Sequence, residues 1–257
     1  MSQKGLIVTV VVALVLLVLV ITIMALGWRF FYCEHYGPAV PLKKPIRLYM
    51  HSERVHSNTE EALSRITRVL KNKNLQHWPI GGTLIGCLRH QGPIPWDDDV
   101  DLGILEDEFD LVGAALKQEY GKNLKMFSQL DKPIFRMWKV KFKDLPGYVD
   151  LFSFKRKNGR VKMSGHFHAF IYGSEVTPES WVFPLKRNSL RFGRLHLDGP
   201  SEPERMCEFF APGYMNMYVI HTRHSAYKKP WNMFMRKRYI DAQDPKVTQW
   251  VTQWVTQ

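Results

Sequence analysis

Hydrophobic positions along this chain recur at two periods, and the change of period marks out its elements. Leu63, Ile66, Val69 and Leu70 follow at helical spacing behind Ser57-Asn-Thr-Glu60, which has the form of a capping box, and predict a helix over 58–73. Residues 77–80 predict a short strand running into Gly81-Gly82, and 83–89 one or two helical turns. Two prolines and a glycine in Gln91-Gly-Pro-Ile-Pro95 exclude a helix and predict a turn. From Asp99 the period becomes two. Asp99, Asp101 and Gly103 share one face, and Val100, Leu102 and Ile104 the other. A helix over Phe109–Tyr120 follows. Trp138, Val140 and Phe142 alternate with Lys139, Lys141 and Lys143, as in a half-exposed strand. Residues 148–154 predict another strand, and Lys157-Asn-Gly-Arg160 a hairpin turn.

The first 50 residues break this pattern. Residues 6–26 carry no charge and only two threonines among 21 positions. At a helical rise of about 1.5 Å per residue they span about 30 Å, which predicts a transmembrane helix in contact with membrane lipid. A cleaved signal peptide is the competing reading, with Ala25-Leu26-Gly27 as its cleavage site. Gly27-Trp-Arg-Phe-Phe-Tyr32 has the make-up of an interfacial belt and favours an uncleaved anchor. Lys4 flanks one side, and Arg29, Lys43, Lys44 and Arg47 the other, a charge count that by itself would put the large domain in the cytosol. The expected organisation is a short tail (1–5), a signal-anchor (6–28), a proline-bearing stem without regular structure (29–50), one globular domain (51–246) and a low-complexity tail (247–257).

Composition refines this modestly. With 45% hydrophobic and 23% charged residues the chain is not of a disordered class, and a net charge of +12 points to anionic partners. Cys33, Cys87 and Cys207 are too few and too scattered for a disulfide framework or a zinc site. His166 with His168, and His221 with His224, could each share a face, but neither pair has a third ligand nearby, so surface histidines are expected. The basic residues Lys228, Lys229, Arg236, Lys237 and Arg238 read as a solvated face.

The chemistry concentrates in Asp97-Asp98-Asp99-Val100-Asp101. Crowded carboxylates repel one another unless cations neutralise them. Alternation sets Asp99 and Asp101 on one face with Cα atoms about 6.5–7 Å apart, close enough to converge on one or two divalent ions. Hard oxygen ligands suit Mg2+ or Mn2+. Asp150 stands where Tyr148-Val-Asp-Leu-Phe152 calls for an apolar residue, and is the candidate third ligand. Gly81 and Gly82 permit close backbone approach to a ligand, and Thr83 opens a helix start suited to phosphate. Arg89 and His90 are candidate cationic contacts for a diphosphate, and Trp96 a packing residue. Taken singly, an acidic cluster is more often a solvated turn or a calcium loop, and a Gly-Gly pair only a tight turn.

Taken together, Gly81-Gly-Thr-Leu-Ile-Gly-Cys-Leu-Arg-His90 and Ile94-Pro-Trp-Asp-Asp-Asp-Val-Asp-Leu-Gly-Ile104 resemble the signature of the LicD and fukutin-related proteins. Val149-Asp-Leu-Phe152, Phe183-Pro-Leu-Lys186 and, more loosely, Phe209-Phe-Ala-Pro-Gly-Tyr214 are similar to that family's later blocks. The resemblance covers about residues 60–220 and is densest over 80–104. It implies an α+β fold, a polymerase beta-type nucleotidyltransferase with a mixed sheet and flanking helices, here preceded by one transmembrane helix. It implies transfer of a phospho-alcohol, such as ribitol phosphate or phosphocholine, from a CDP-alcohol donor to a glycan or glycoprotein acceptor, with release of CMP. Asp99 and Asp101 match the metal-binding pair, Asp97 the preceding acidic position and Asp150 the later carboxylate. A single-pass type II location in the Golgi or endoplasmic reticulum membrane is also implied. The chain is shorter than the fukutin-type enzymes and lacks the cysteine cluster of some relatives, so donor and acceptor specificity is not carried over.

Three other readings stay open from the residues. One is an enzyme of the same fold that transfers the nucleotide from a nucleoside triphosphate. Another is a non-catalytic, membrane-tethered binding protein, against which the intact acidic set argues. The third, a nucleic-acid binder, is disfavoured by the apolar N-terminal segment and the dispersed basic residues.

Overall fold

The computed structural model describes residues 3–36, 52–95, 97, 99–128, 136–165, 176–215, 217–220 and 238–241. Trp96, Asp98, the four histidines at 166, 168, 221 and 224, the basic residues 228, 229, 236 and 237, and the tail 247–257 lie outside them.

Helix α1 (Gln3–Tyr36) continues past the apolar run, so the segment expected to lack regular structure begins as helix. Its side chains are described over residues 8–24, all exposed. Among the described residues no helix is long and apolar enough to cross a membrane. The expected transmembrane anchor, its lipid contact and the type II Golgi or endoplasmic reticulum location are corrected accordingly.

Helix α2 (Glu53–Asn72) begins at Ser52, five residues before the anticipated capping box. The box residues are interior. Thr59 Oγ1 donates back to the Val55 carbonyl at 2.9 Å, and Glu60 reaches Arg194 instead of its own helix end. The buried stripe Leu63, Ile66, Val69 and Leu70 is the one the periodicity marks. Strand β1 (His77–Pro79) leads into α3 (Gly81–Ile85), which runs on as a wider turn through Gly86–His90. Strand β2 (Asp99–Leu105) and helix α4 (Phe109–Tyr120) follow. Then come β3 (Leu124–Ser128), β4 (Met137–Phe142), β5 (Tyr148–Lys157), β6 (Arg160–Met163) and β7 (Val176–Pro178). The chain continues through α5 (Glu179–Val182), β8 (Lys186–Phe192), β9 (Leu195–Gly199) and α6 (Pro203–Phe210). A final antiparallel pair joins β10 (Met217–Ile220) to β11 (Arg238–Asp241).

The main sheet is mixed, in the order β1-β2-β5-β4-β3, with β6 and β7 continuing from β5. Among the described residues only β2 and β5 pair in parallel, and they lie toward its centre. Helices α2 and α4 cover one face. Val100, Leu102, Ile104, Val149, Leu151 and Val140 point into that layer and are fully buried. The stack of Phe109 on Trp138, with ring centroids 6.0 Å apart, places α4 against β4. On the opposite face Trp78 packs between Phe154 and Phe183. A Cβ on Gly103 would lie 2.5 Å from that indole, so only glycine fits there. This second face carries the aspartates. The expected α+β class with a mixed sheet is what the structure shows.

Candidate metal-dependent active site

Parallel pairing builds the site. Asp101 on β2 is in register with Asp150 on β5, and Asp99 with Tyr148. Side chains in register across a parallel pair share a face, so residues far apart in sequence converge. Asp99, Asp101 and Asp150 each bring a carboxylate oxygen within 4.8 Å of the other two. Oδ1 of Asp150 is buried and has no hydrogen-bond partner among the described residues. An acceptor-only atom left this way is satisfied by a cation, so the donor set fits a hard divalent ion.

The electrostatics agree. Burial first, then Asp99, Asp150 and Asp97 as like charges, push the Asp101 carboxyl well above its ordinary range. Asp150 is pushed up to about 6, chiefly by burial, against the opposing pull of Lys139. Without a cation, the cluster favours partial protonation.

Helix α3 closes one side. Gly81 has a φ of +52°, which favours glycine, and a Cβ there would stand 3.2 Å from Asp101 Oδ2. A Cβ on Gly82 would come within 2.5 Å of Asp97 Oδ2. The two glycines thus let backbone pass against the carboxylates. Thr83 is buried, and its Oγ1 accepts the Asp101 N–H at 2.8 Å, tying α3 to β2 at the site.

Arg89 and His90 lie elsewhere in character. Arg89 Nη1 donates to the Tyr214 carbonyl at 2.6 Å, and Nε to His90 Nε2 at 2.9 Å. Burial, and then Arg89 itself, hold the His90 imidazole down at about 4, so at neutral pH it is uncharged. The expectation of a cationic contact at His90 is corrected on that ground.

Lys139 is the site residue that reading the sequence missed. Its Nζ donates to Asp150 Oδ2 at 3.0 Å and sits 3.2 Å from the centroid of the Tyr148 ring. In sequence it belongs to an alternating lysine row that reads as solvent-facing. The register of β4 against β5, which pairs Lys139 with Asp150, is what brings it inward.

A family profile described as LicD/FKTN/FKRP, nucleotidyltransferase domain, matches residues 74–202, half of the chain, and spans α3, all three carboxylates and Lys139. An uncharacterized protein of Rickettsia prowazekii is 30% identical over 193 residues, covering 71% of this chain and 60% of its own. The lipopolysaccharide cholinephosphotransferase LicD of Haemophilus influenzae is 62% identical over 29 residues, 11% of each chain. The human ribitol 5-phosphate transferase FKRP is 48% identical over 48 residues, 18% of this chain and 10% of its own. The chain therefore spans less than two thirds of the length of these relatives.

Proposed function

Because the chain belongs to the LicD/FKTN/FKRP nucleotidyltransferase-domain family, we propose that it is a metal-dependent transferase of phospho-alcohol groups, using a CDP-linked donor and a glycan acceptor. The observation that carries this reading is the convergence of Asp99, Asp101 and Asp150 within 4.8 Å, with a buried, unpartnered oxygen on Asp150. The names of the two characterised relatives, a cholinephosphotransferase and a ribitol 5-phosphate transferase, support phosphocholine or ribitol phosphate as the group moved.

The reaction joins an acceptor hydroxyl oxygen to the phosphorus of the phospho-alcohol and breaks the phosphoanhydride bond to CMP, which leaves with the bond electrons. A divalent ion, Mg2+ or Mn2+, held by Asp99, Asp101 and Asp150 would neutralise their repulsion and the charge gathering on the phosphates. Asp97, which lies beside Gly82, would take the proton of the acceptor hydroxyl. Gly81 and Gly82 present backbone at the carboxylates, where a phosphate can approach closely. Thr83 fixes the distance between α3 and β2 through Asp101.

The test is incubation of the full chain with Mg2+ or Mn2+, CDP-ribitol or CDP-choline, and glycan acceptors. Release of CMP matched by acceptor carrying the phospho-alcohol is the expected result. Pyrophosphate release from a nucleoside triphosphate, without CMP from any CDP-alcohol, would replace this reading with nucleotide transfer.

A further inference from the structure

The ion pair between Lys139 and Asp150 points to how the site recognises a charged donor, an inference that rests on the metal and diphosphate reading above. The side chain of Lys139 is only 17% exposed, so its ammonium is committed to the site. Among the described residues, Asp97, Asp99, Asp101 and Asp150 gather their charge there, and Lys139 is the cation that acts on them. An ammonium has three N–H donors, and Asp150 Oδ2 takes one of them, while the Tyr148 ring faces the same nitrogen.

A carboxylate bound to a divalent ion has little charge left for a neighbouring lysine. An ammonium held close to that ion, largely out of water, is repelled by it unless an anion enters between them. A diphosphate supplies that anion, and a neutral nucleoside does not.

We propose that Lys139 is a donor-recognition residue: it pairs with Asp150 while the site is metal-free, and passes to a phosphate of the donor diphosphate once a divalent ion takes Asp150.

The proposal is tested by calorimetric titration of the full chain in Mn2+ with two probes, CDP and cytidine. Lys139→Met should weaken CDP binding by about tenfold to a hundredfold, the size of a charged hydrogen bond, and leave cytidine binding unchanged. Lys139→Arg should keep most of the CDP affinity. Equal CDP affinity in wild type and Lys139→Met overturns the assignment, and so does a parallel loss of CDP and cytidine, which marks a purely structural role. Should Lys139→Met fail to fold, Lys139→Gln, whose amide keeps a hydrogen bond to Asp150, serves for the same comparison. If the wild type binds Mn2+ but neither probe, the donor reading falls and takes this proposal with it. If the wild type binds CDP and the variant matches it, only the role of Lys139 falls.

Discussion

Asp101 and Asp150 stand opposite one another across the parallel pair β2 and β5 of the main sheet, with their carboxylates on the face away from α2 and α4. Two acids at this spacing in a partly desolvated layer cost the fold free energy, and each is pushed toward its protonated form. A site that is unfavourable when empty and favourable when filled is the physical signature of a cation-binding centre. Several measurable consequences follow from that opposition.

Asp101→Asn removes an acid that burial and its neighbours force toward protonation, and keeps the side-chain shape. Without metal, its thermal midpoint should rise by a few degrees, at about 2–4 °C per kcal/mol for a domain of this size. CMP release should fall at least about 10³-fold, the loss that several kcal/mol of missing charge stabilisation implies. Calorimetry in EDTA and a CMP assay read the two effects, and substantial residual transfer would remove Asp101 from the metal set.

The stability of the metal-free protein should carry the Asp150 titration. Its folded value, about 6, is raised above the ordinary 3.8. The associated stability is therefore complete below about pH 4 and is lost as pH rises toward 6 and a little beyond. Relative to Asp150→Asn, the wild type should lose on the order of 3 kcal/mol between pH 4 and pH 7. Denaturant unfolding of both proteins in EDTA across that range measures the difference. A gap that does not change with pH would contradict the raised value.

Thr83→Val should act on the site through the backbone. It leaves the Asp101 N–H without the oxygen it now reaches at 2.8 Å, a loss of about 1–3 kcal/mol at a buried position. Thr83→Ser restores the oxygen and should recover most of the stability and the Mn2+ affinity. If valine and serine behave alike, the hydroxyl is not the tie between α3 and β2.

Cys87 and Cys207 are buried free thiols, each pushed up to about 12 chiefly by burial. Thiolate is the reactive form, so both should resist iodoacetamide at pH 8 in the folded protein and react in denaturant. Mass spectrometry of the two peptides checks this, and rapid native labelling of Cys87 or Cys207 would show that the wider turn after α3, or helix α6, opens readily.

Much of the layout could be read from single positions. The helix Phe109–Tyr120 and the alternation of Val100, Leu102 and Ile104 with Asp99 and Asp101 stand in the structure as the periodicity predicts, because burial on one side of an element leaves its period in the residues. Helix α2 starts earlier than its capping-box sequence predicts. A Ser-x-x-Glu sequence satisfies a helix end only if the chain ends its helix there, and here Thr59 and Glu60 make other contacts. His90 was misread for a related reason. Whether an imidazole carries charge depends on its burial and on Arg89 beside it, neither of which spacing reveals.

The chain's own order of residues was enough to determine the acidic strand with its apolar reverse side, the glycine turn before it and the family resemblance that implies the α+β class, since the first two are local properties of period and residue type and the third rests on short motifs. Tertiary structure alone decided that β2 and β5 pair in parallel with Asp101 against Asp150, that Lys139 turns inward to that aspartate, and that Thr83 holds the Asp101 amide. Register is a relation between strands, set by how whole faces bury against α2 and α4, and a shift of one residue would have turned every one of those side chains to the opposite face.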